Sequence, residues 1–231
     1  MNHARLGADE GVCIIAREQT GGRGRHGRTW ISAKDAGLYF SIILRPLLEP
    51  RFVPLITLMT GVAVHDTLAE LGLKPDIKWV NDIHIKGKKI AGILAETIDS
   101  PRGLAVIVGI GINLRSNNFP PEIADIATSV KDETGRVLTA VEISAILTRF
   151  LGYFYQVLAD ENGPATIRQE WQRRSTYANG KSVRIVLENE AVTGVTDGLE
   201  ENGALRLKTA EGEIRTVQAG DVEQIRQTNL K

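Results

Sequence analysis

The feature that most limits how this chain can fold is a change of pattern near residue 176. Before it, apolar residues come in long runs or recur at three- and four-residue spacing, as from Leu55 to Leu71. After it they alternate in short segments, Ser182–Leu187, Ala191–Thr196, Ala204–Lys208, Ile214–Val217 and Val222–Ile225, separated by Asn-Glu, Asn-Gly, Glu-Gly and Gly-Asp turns. A helix face recurs about every 3.6 residues and a strand face every second residue, so one architecture cannot serve both parts. The pattern predicts a boundary near residue 176, with strands and helices over residues 1–176 that are compatible with an α+β arrangement and a small all-β barrel over 177–231.

Within the first part, Val12–Ala16 reads as a buried strand with Cys13 as a small buried side chain, and Leu38–Leu44 as a second strand closed by Arg45-Pro46. Pro54 to Leu71 reads as a core-facing helix, with Pro54 suited to its first turn and Gly72 to its end. Strands are expected at 76–80, 83–85 and 89–97, the last two joined by a tight turn at Lys86-Gly87. A Pro-Arg-Gly turn at 101–103 leads into the apolar run Leu104–Leu114, broken by Gly109 and Gly111 as strands are where a ligand or backbone approaches closely. Thr139-Ala140-Val141-Glu142 is a capping box opening a long helix, and Pro164–Arg174 reads as another.

Charge narrows the partners. The 231 residues carry 28 Lys+Arg and 28 Asp+Glu, which speaks against a phosphodiester backbone or a membrane surface as partner. The longest uncharged apolar run, Val53–Val64, falls short of the roughly 20 residues that span a bilayer, and MNHARLGADEG has no apolar signal core. One cysteine excludes an internal disulfide, and His3, His26, His65 and His84 lack metal-ligand spacing, so the expectation is a cytoplasmic protein without a structural metal.

Two segments carry chemistry. Gly22, Gly24 and Gly27 satisfy a dinucleotide-binding spacing, but Arg28-Thr29-Trp30-Ile31-Ser32 follows where that fingerprint requires a helix. More telling are Arg23, Arg25 and Arg28, three guanidinium groups with no acid between them, on a backbone whose glycines allow close approach. Such a loop suits anions; a surface loop of solvated arginines is the alternative. Further on, Lys78-Trp79-Val80-Asn81-Asp82 sets a cation, a ring and two oxygen-bearing side chains together. Strand alternation would point Lys78, Val80 and Asp82 one way, unless the chain turns at Asn81-Asp82. Asn81 and Asp82 read either as turn residues or as oxygen ligands for Mg²⁺ on a nucleotide. Lys88-Lys89 then enter an apolar run, where a buried ammonium needs an anionic partner.

The ordered set Glu18-Gln19-Thr20-Gly21-Gly22-Arg23-Gly24-Arg25-His26-Gly27-Arg28-Thr29-Trp30, Lys78-Trp79-Val80-Asn81-Asp82, Lys88-Lys89-Ile90-Ala91-Gly92-Ile93-Leu94 and Val108-Gly109-Ile110-Gly111-Ile112-Asn113-Leu114 closely resembles the biotin protein ligases. The resemblance extends through Ala127-Thr128-Ser129-Val130 into the C-terminal part. It implies a mixed sheet with helices packed on one side, followed by an SH3-like barrel. It also implies an enzyme that joins biotin to ATP as biotinyl-5′-AMP and passes it to a lysine of the biotin carboxyl carrier protein of acetyl-CoA carboxylase or a related carboxylase. Lys89 would then contact the biotin carboxylate and the α-phosphate, and Arg23 and Arg25 would close over the adenylate. Gln19, Gly22, Arg23, Trp30, Lys89, Gly92 and Leu94 would hold biotin. Arg25, Lys78, Asn81, Asp82 and Asn113 would serve ATP, with Asn81 and Asp82 on its Mg²⁺.

The chain departs from the family in three places. No Ser-Thr-Asn segment precedes Val12, Val80 stands where relatives carry Pro, and His26 stands where many carry Arg. The first departure reads as a late start or as weaker biotin binding, since an unpaired ureido group costs about 1–3 kcal/mol. The chain begins inside the catalytic domain, so no DNA binding is expected. A lipoate-type acyl ligase and a non-catalytic regulator that binds biotin or its adenylate are the competing readings; a homodimer is compatible with the chain, and the resemblance makes the barrel a candidate for carrier docking or for closing the nucleotide site. The net charge of zero averages uneven parts: residues 23–34 contribute +4, residues 74–89 contribute +3 and the remainder −7.

Overall fold

The computed structural model describes residues 1–187, 190–218 and 220–224. Its first part is built on a six-stranded sheet: β1 (Cys13–Ala16), β2 (Gly37–Leu44), β3 (Asp76–Lys78), β4 (Asp82–Ile85), β5 (Lys88–Ser100) and β6 (Gly103–Asn113), in the order β1-β2-β6-β5-β4-β3. Neighbouring strands run antiparallel, and a parallel bridge ties Ala127 to Lys89 at the start of β5.

Alternation divides this sheet into two unlike faces. Leu38, Phe40, Ala91, Ile93, Val108, Ile110 and Ile112 point to one side and are buried. Over them lie α2 (Leu55–Glu70), α5 (Ala140–Ala159) and α6 (Gly163–Arg173). By length and composition Pro50–Glu70 is apolar enough to cross a membrane, yet it is a core helix, with Leu55, Ile56, Leu58, Met59 and Val62 fully covered. The box predicted at Thr139 is present: its hydroxyl accepts from Glu142 N, and the Glu142 carboxylate accepts from Thr139 N. The opposite sheet face carries Tyr39, Ser41, Gly92, Leu94, Gly109 and Gly111 and is left open, except at its far end. There α1 (Asn2–Arg5) sets Ala4 against Ile43, Ile98, Ala105 and Ile107. Two short helices, α3 (Pro121–Ala124) and α4 (Val130–Thr134), complete this part.

Two expectations are corrected. β1 is an exposed edge strand, with Ile14 46% and Ile15 43% accessible and Cys13 exposed, because it lies at the rim of the sheet with β2 as its one partner strand. A short β-branched run cannot by itself distinguish a central from an edge position. The strand expected over 76–80 stops at Lys78, since Trp79–Asn81 form a turn that returns the chain antiparallel as β4.

The C-terminal part is a five-stranded antiparallel sheet of β7 (Asn179–Val186), β8 (Ala191–Leu199), β9 (Leu205–Lys208), β10 (Ile214–Val217) and β11 (Asp221–Gln224), ordered β10-β9-β8-β7-β11. Asn189 of the expected Asn-Glu turn and Ile225 of the last expected segment lie outside the described residues. This sheet docks through Gly203, whose carbonyl accepts the Trp79 indole N–H at 3.1 Å. Gly203 has φ +86°, and a Cβ there would stand 2.7 Å from Leu58, so the position requires glycine on two counts.

Candidate functional site

The loop rich in Gly and Arg is folded back on itself. Gly24 N–H donates to Arg28 O at 2.7 Å, Trp30 N–H to Gly22 O at 3.0 Å, and Arg23 bridges Thr29. Arg25–Gly27 form a tight turn in which His26 (φ 52°) and Gly27 (φ 71°) are left-handed, so no helix N-terminus opens where a dinucleotide site would need one. The loop delivers Trp30 onto the open sheet face. A Cβ on Gly111 would lie 2.4 Å from the Trp30 ring and one on Gly92 3.1 Å from it, which accounts for glycine at both positions. The Trp30 indole N–H is buried without a hydrogen-bond partner among the described residues.

Beneath the loop is a cleft of about 330 Å³. Gln19, Arg23, Arg25, Trp30, Asn81, Asp82, Lys89, Gly92 and Leu94 line it, joined by Tyr39, Ser41, Glu96, Gly109, Gly111 and Asp221. One wall is apolar floor and the other is charged. Lys89 Nζ lies 2.7 Å from Asp82 and 5.5 Å from the centre of the Trp30 ring. Arg23 pairs with Glu96 at 2.9 Å, and Arg28 with Asp221 of the C-terminal sheet at 2.5 Å. Arg25 differs, since its Nη1 donates to neutral oxygens, Asn81 Oδ1 at 3.3 Å and Gly220 O at 3.2 Å. Burial pulls the Arg25 guanidinium below its ordinary pKa, and Lys78 is lowered in the same way.

Lys89 is held from both sides along the backbone: its N–H donates to Ile126 O at 2.8 Å and its carbonyl accepts from Thr128 N at 2.9 Å. Asn113 reinforces this by donating to Thr128 O at 3.1 Å, so its amide fixes the strand behind Lys89 and does not line the cleft. Lys78 and Gly22 also stand off the lining; a Cβ on Gly22 would meet Trp30 O at 2.3 Å, so the loop packs there on glycine. Asn81 clamps the turn to β5, with Nδ2 donating to Ile93 O at 2.8 Å.

The residues do not fit a protein-held Mg²⁺. Asp82 is neutralised by Lys89, Asn81 is engaged by Arg25 and Ile93, and no cluster of three His, Cys, Asp or Glu able to hold a metal exists among the described residues. Two cleft carboxylates were not singled out in the sequence. Glu96 could have been found by continuing the alternation Gly92, Leu94, Glu96; Asp221 could not, because it arrives from another sheet.

A cleft with a cationic rim over an apolar floor, assembled from a helix-backed sheet and a small second sheet, suits joining an acid to another group at the expense of a polyanion. Residues 3–113 match the Biotin/lipoate A/B protein ligase family and residues 179–223 the Biotin protein ligase C terminal domain. The chain is 36% identical to the bifunctional ligase/repressor BirA of Bacillus subtilis, over 95% of this chain and 68% of that one. It is 33% identical to the biotin–(acetyl-CoA-carboxylase) ligase of Mycobacterium tuberculosis, over 96% of this chain and 83% of that one. Among solved structures, the biotin protein ligase of Aquifex aeolicus in complex with biotin and ATP superposes with a TM-score of 0.83 at 29% identity, covering 97% of this chain and 93% of that one. Fold and site therefore define a ligase. The chain belongs to the biotin protein ligase family.

Proposed function

We propose that this chain activates biotin with ATP as biotinyl-5′-AMP and transfers it to a lysine of the biotin carboxyl carrier protein of acetyl-CoA carboxylase or a related carboxylase, in the cytoplasm. The observation that carries the reading is the meeting of Lys89 and the arginine loop with the floor of Gly92, Leu94, Gly109 and Gly111 in one cleft. A substrate with an apolar body and a carboxylate needs both surfaces side by side, and ATP needs the cationic one.

In the first step a biotin carboxylate oxygen bonds to the α-phosphorus while the bond to pyrophosphate breaks. Negative charge accumulates on phosphoryl oxygens, and Lys89, Arg23 and Arg25 are the groups that offset it. Gln19, Gly22, Trp30, Gly92 and Leu94 shape the biotin side, with Trp30 as cover; Lys78, Asn81 and Asp82 stand on the ATP side, and Asn113 keeps Lys89 in place. In the second step the carrier lysine amine attacks the acyl carbon, an amide forms, AMP leaves and the amine proton goes to solvent. Residues 1–176 form the catalytic part, and 177–231 close one edge of the cleft through Asp221. Excluding water protects the mixed anhydride between the steps.

The test is pyrophosphate release from ATP with and without biotin, followed by transfer of labelled biotin to a carrier domain, with lipoate as control. Biotin-dependent release and transfer are expected. Release without transfer would favour a regulator that holds the adenylate, and no biotin-dependent release would sink the reading.

A further inference from the structure

We propose that Glu96 is the internal anion that the substrate's carboxylate replaces at Arg23, and that it thereby sets how strongly the cleft discriminates an acid from its uncharged amide. The inference rests on the biotin reading above and names a determinant within that same site.

The alternation of β5 places Gly92, Leu94 and Glu96 on the cleft side, and Ile107, Gly109 and Gly111 of β6 stand opposite them. Five of these six residues are uncharged. At the edge of this floor the Glu96 carboxylate pairs with Arg23 at 2.9 Å from across the cleft. The two side chains are unequally sheltered: Glu96 is 30% exposed and Arg23 58%. Water screens the arginine side, so the pair is weak and open to exchange. A carboxylic acid substrate presents the same planar pair of acceptor oxygens to the same guanidinium. Arg25 differs, because among the described residues its side-chain hydrogen bonds go to the neutral oxygens Asn81 Oδ1 and Gly220 O. Glu96 therefore keeps Arg23 oriented in the free enzyme and competes with the ligand's own carboxylate for it.

The experiment is calorimetric titration of the full chain with biotin and with biotinamide, in the wild type, Glu96→Gln and Glu96→Ala. The ratio of the two dissociation constants is the readout, because a change in loop order or fold acts on both ligands alike. Both variants are expected to shift that ratio about threefold to fivefold in favour of the acid, the size of a solvent-screened ion pair. In an Arg23→Gln background the shift is expected to vanish. An unchanged ratio, or the same shift without Arg23, would overturn the exchange. Wild type that binds neither ligand would instead refute the biotin reading. Glu96 is then judged by tryptic cleavage after Arg23 and Arg25 in the free chain: faster cutting in Glu96→Gln supports the contact, and equal cutting rejects it.

Discussion

The two faces of the six-stranded sheet are made by the same strands and are opposite in character. On the helix side, Leu38, Phe40, Ile93, Ile110 and Ile112 are at most 2% exposed and close-packed. On the other, Gly92, Gly109 and Gly111 alternate with them residue by residue and leave a cleft that Trp30, Lys89 and the arginine loop roof over. The contrast shows how a strand of period two separates stability from chemistry at a distance of one residue. Large side chains on one face offset the space that glycines leave on the other.

Substitutions on the two faces should break different properties. The largest effect is expected from Lys89→Ala on the cleft side, which should cut the rate of adenylate formation about 10³-fold, or roughly 4 kcal/mol on the barrier, with little change in urea midpoint. Rates within tenfold of wild type would remove Lys89 from the reaction. On the helix side, Ile110→Ala should destabilise the fold by about 3 kcal/mol while the folded fraction keeps its affinity for biotin. Equal loss of affinity and stability would show that the two faces are not separable.

The smallest effect belongs to His84, which lies between the two regimes on β4. Burial, with the Lys78 ammonium nearby, holds its pKa at about 4 against 6.5 for a free histidine. Between those values the unfolded chain takes up a proton and the folded chain does not. Stability from neutral His84 is therefore full above pH 6.5 and is lost as the pH falls towards 4. Denaturant titrations should show about 2 kcal/mol less pH-dependent loss over that window in His84→Gln than in wild type. Parallel curves would mean that His84 gains its proton without cost.

Much of this was legible because it is local. The Thr139 capping box, the Lys86-Gly87 turn and the alternation of β5 and β6 depend on residues near each other in the chain, and the order of four motifs was enough to indicate the family. What failed was positional. Val12–Ala16 has the composition of a buried strand and becomes an exposed edge, because burial depends on which strands flank it. Trp79–Asn81 turns where alternation would have continued, and the turn is fixed by contacts from β5 and the C-terminal sheet.

The sequence by itself determined the residue types of the site: three arginines on a glycine loop, a lysine entering a buried strand, and glycines where a floor must be thin. Tertiary structure decided their pairing. Asp82 with Lys89, Glu96 with Arg23, and Asp221 with Arg28 join residues 7, 73 and 193 positions apart. Charge interactions act through space and depend on distance and burial, both set by packing, so spacing along the chain carries no record of them.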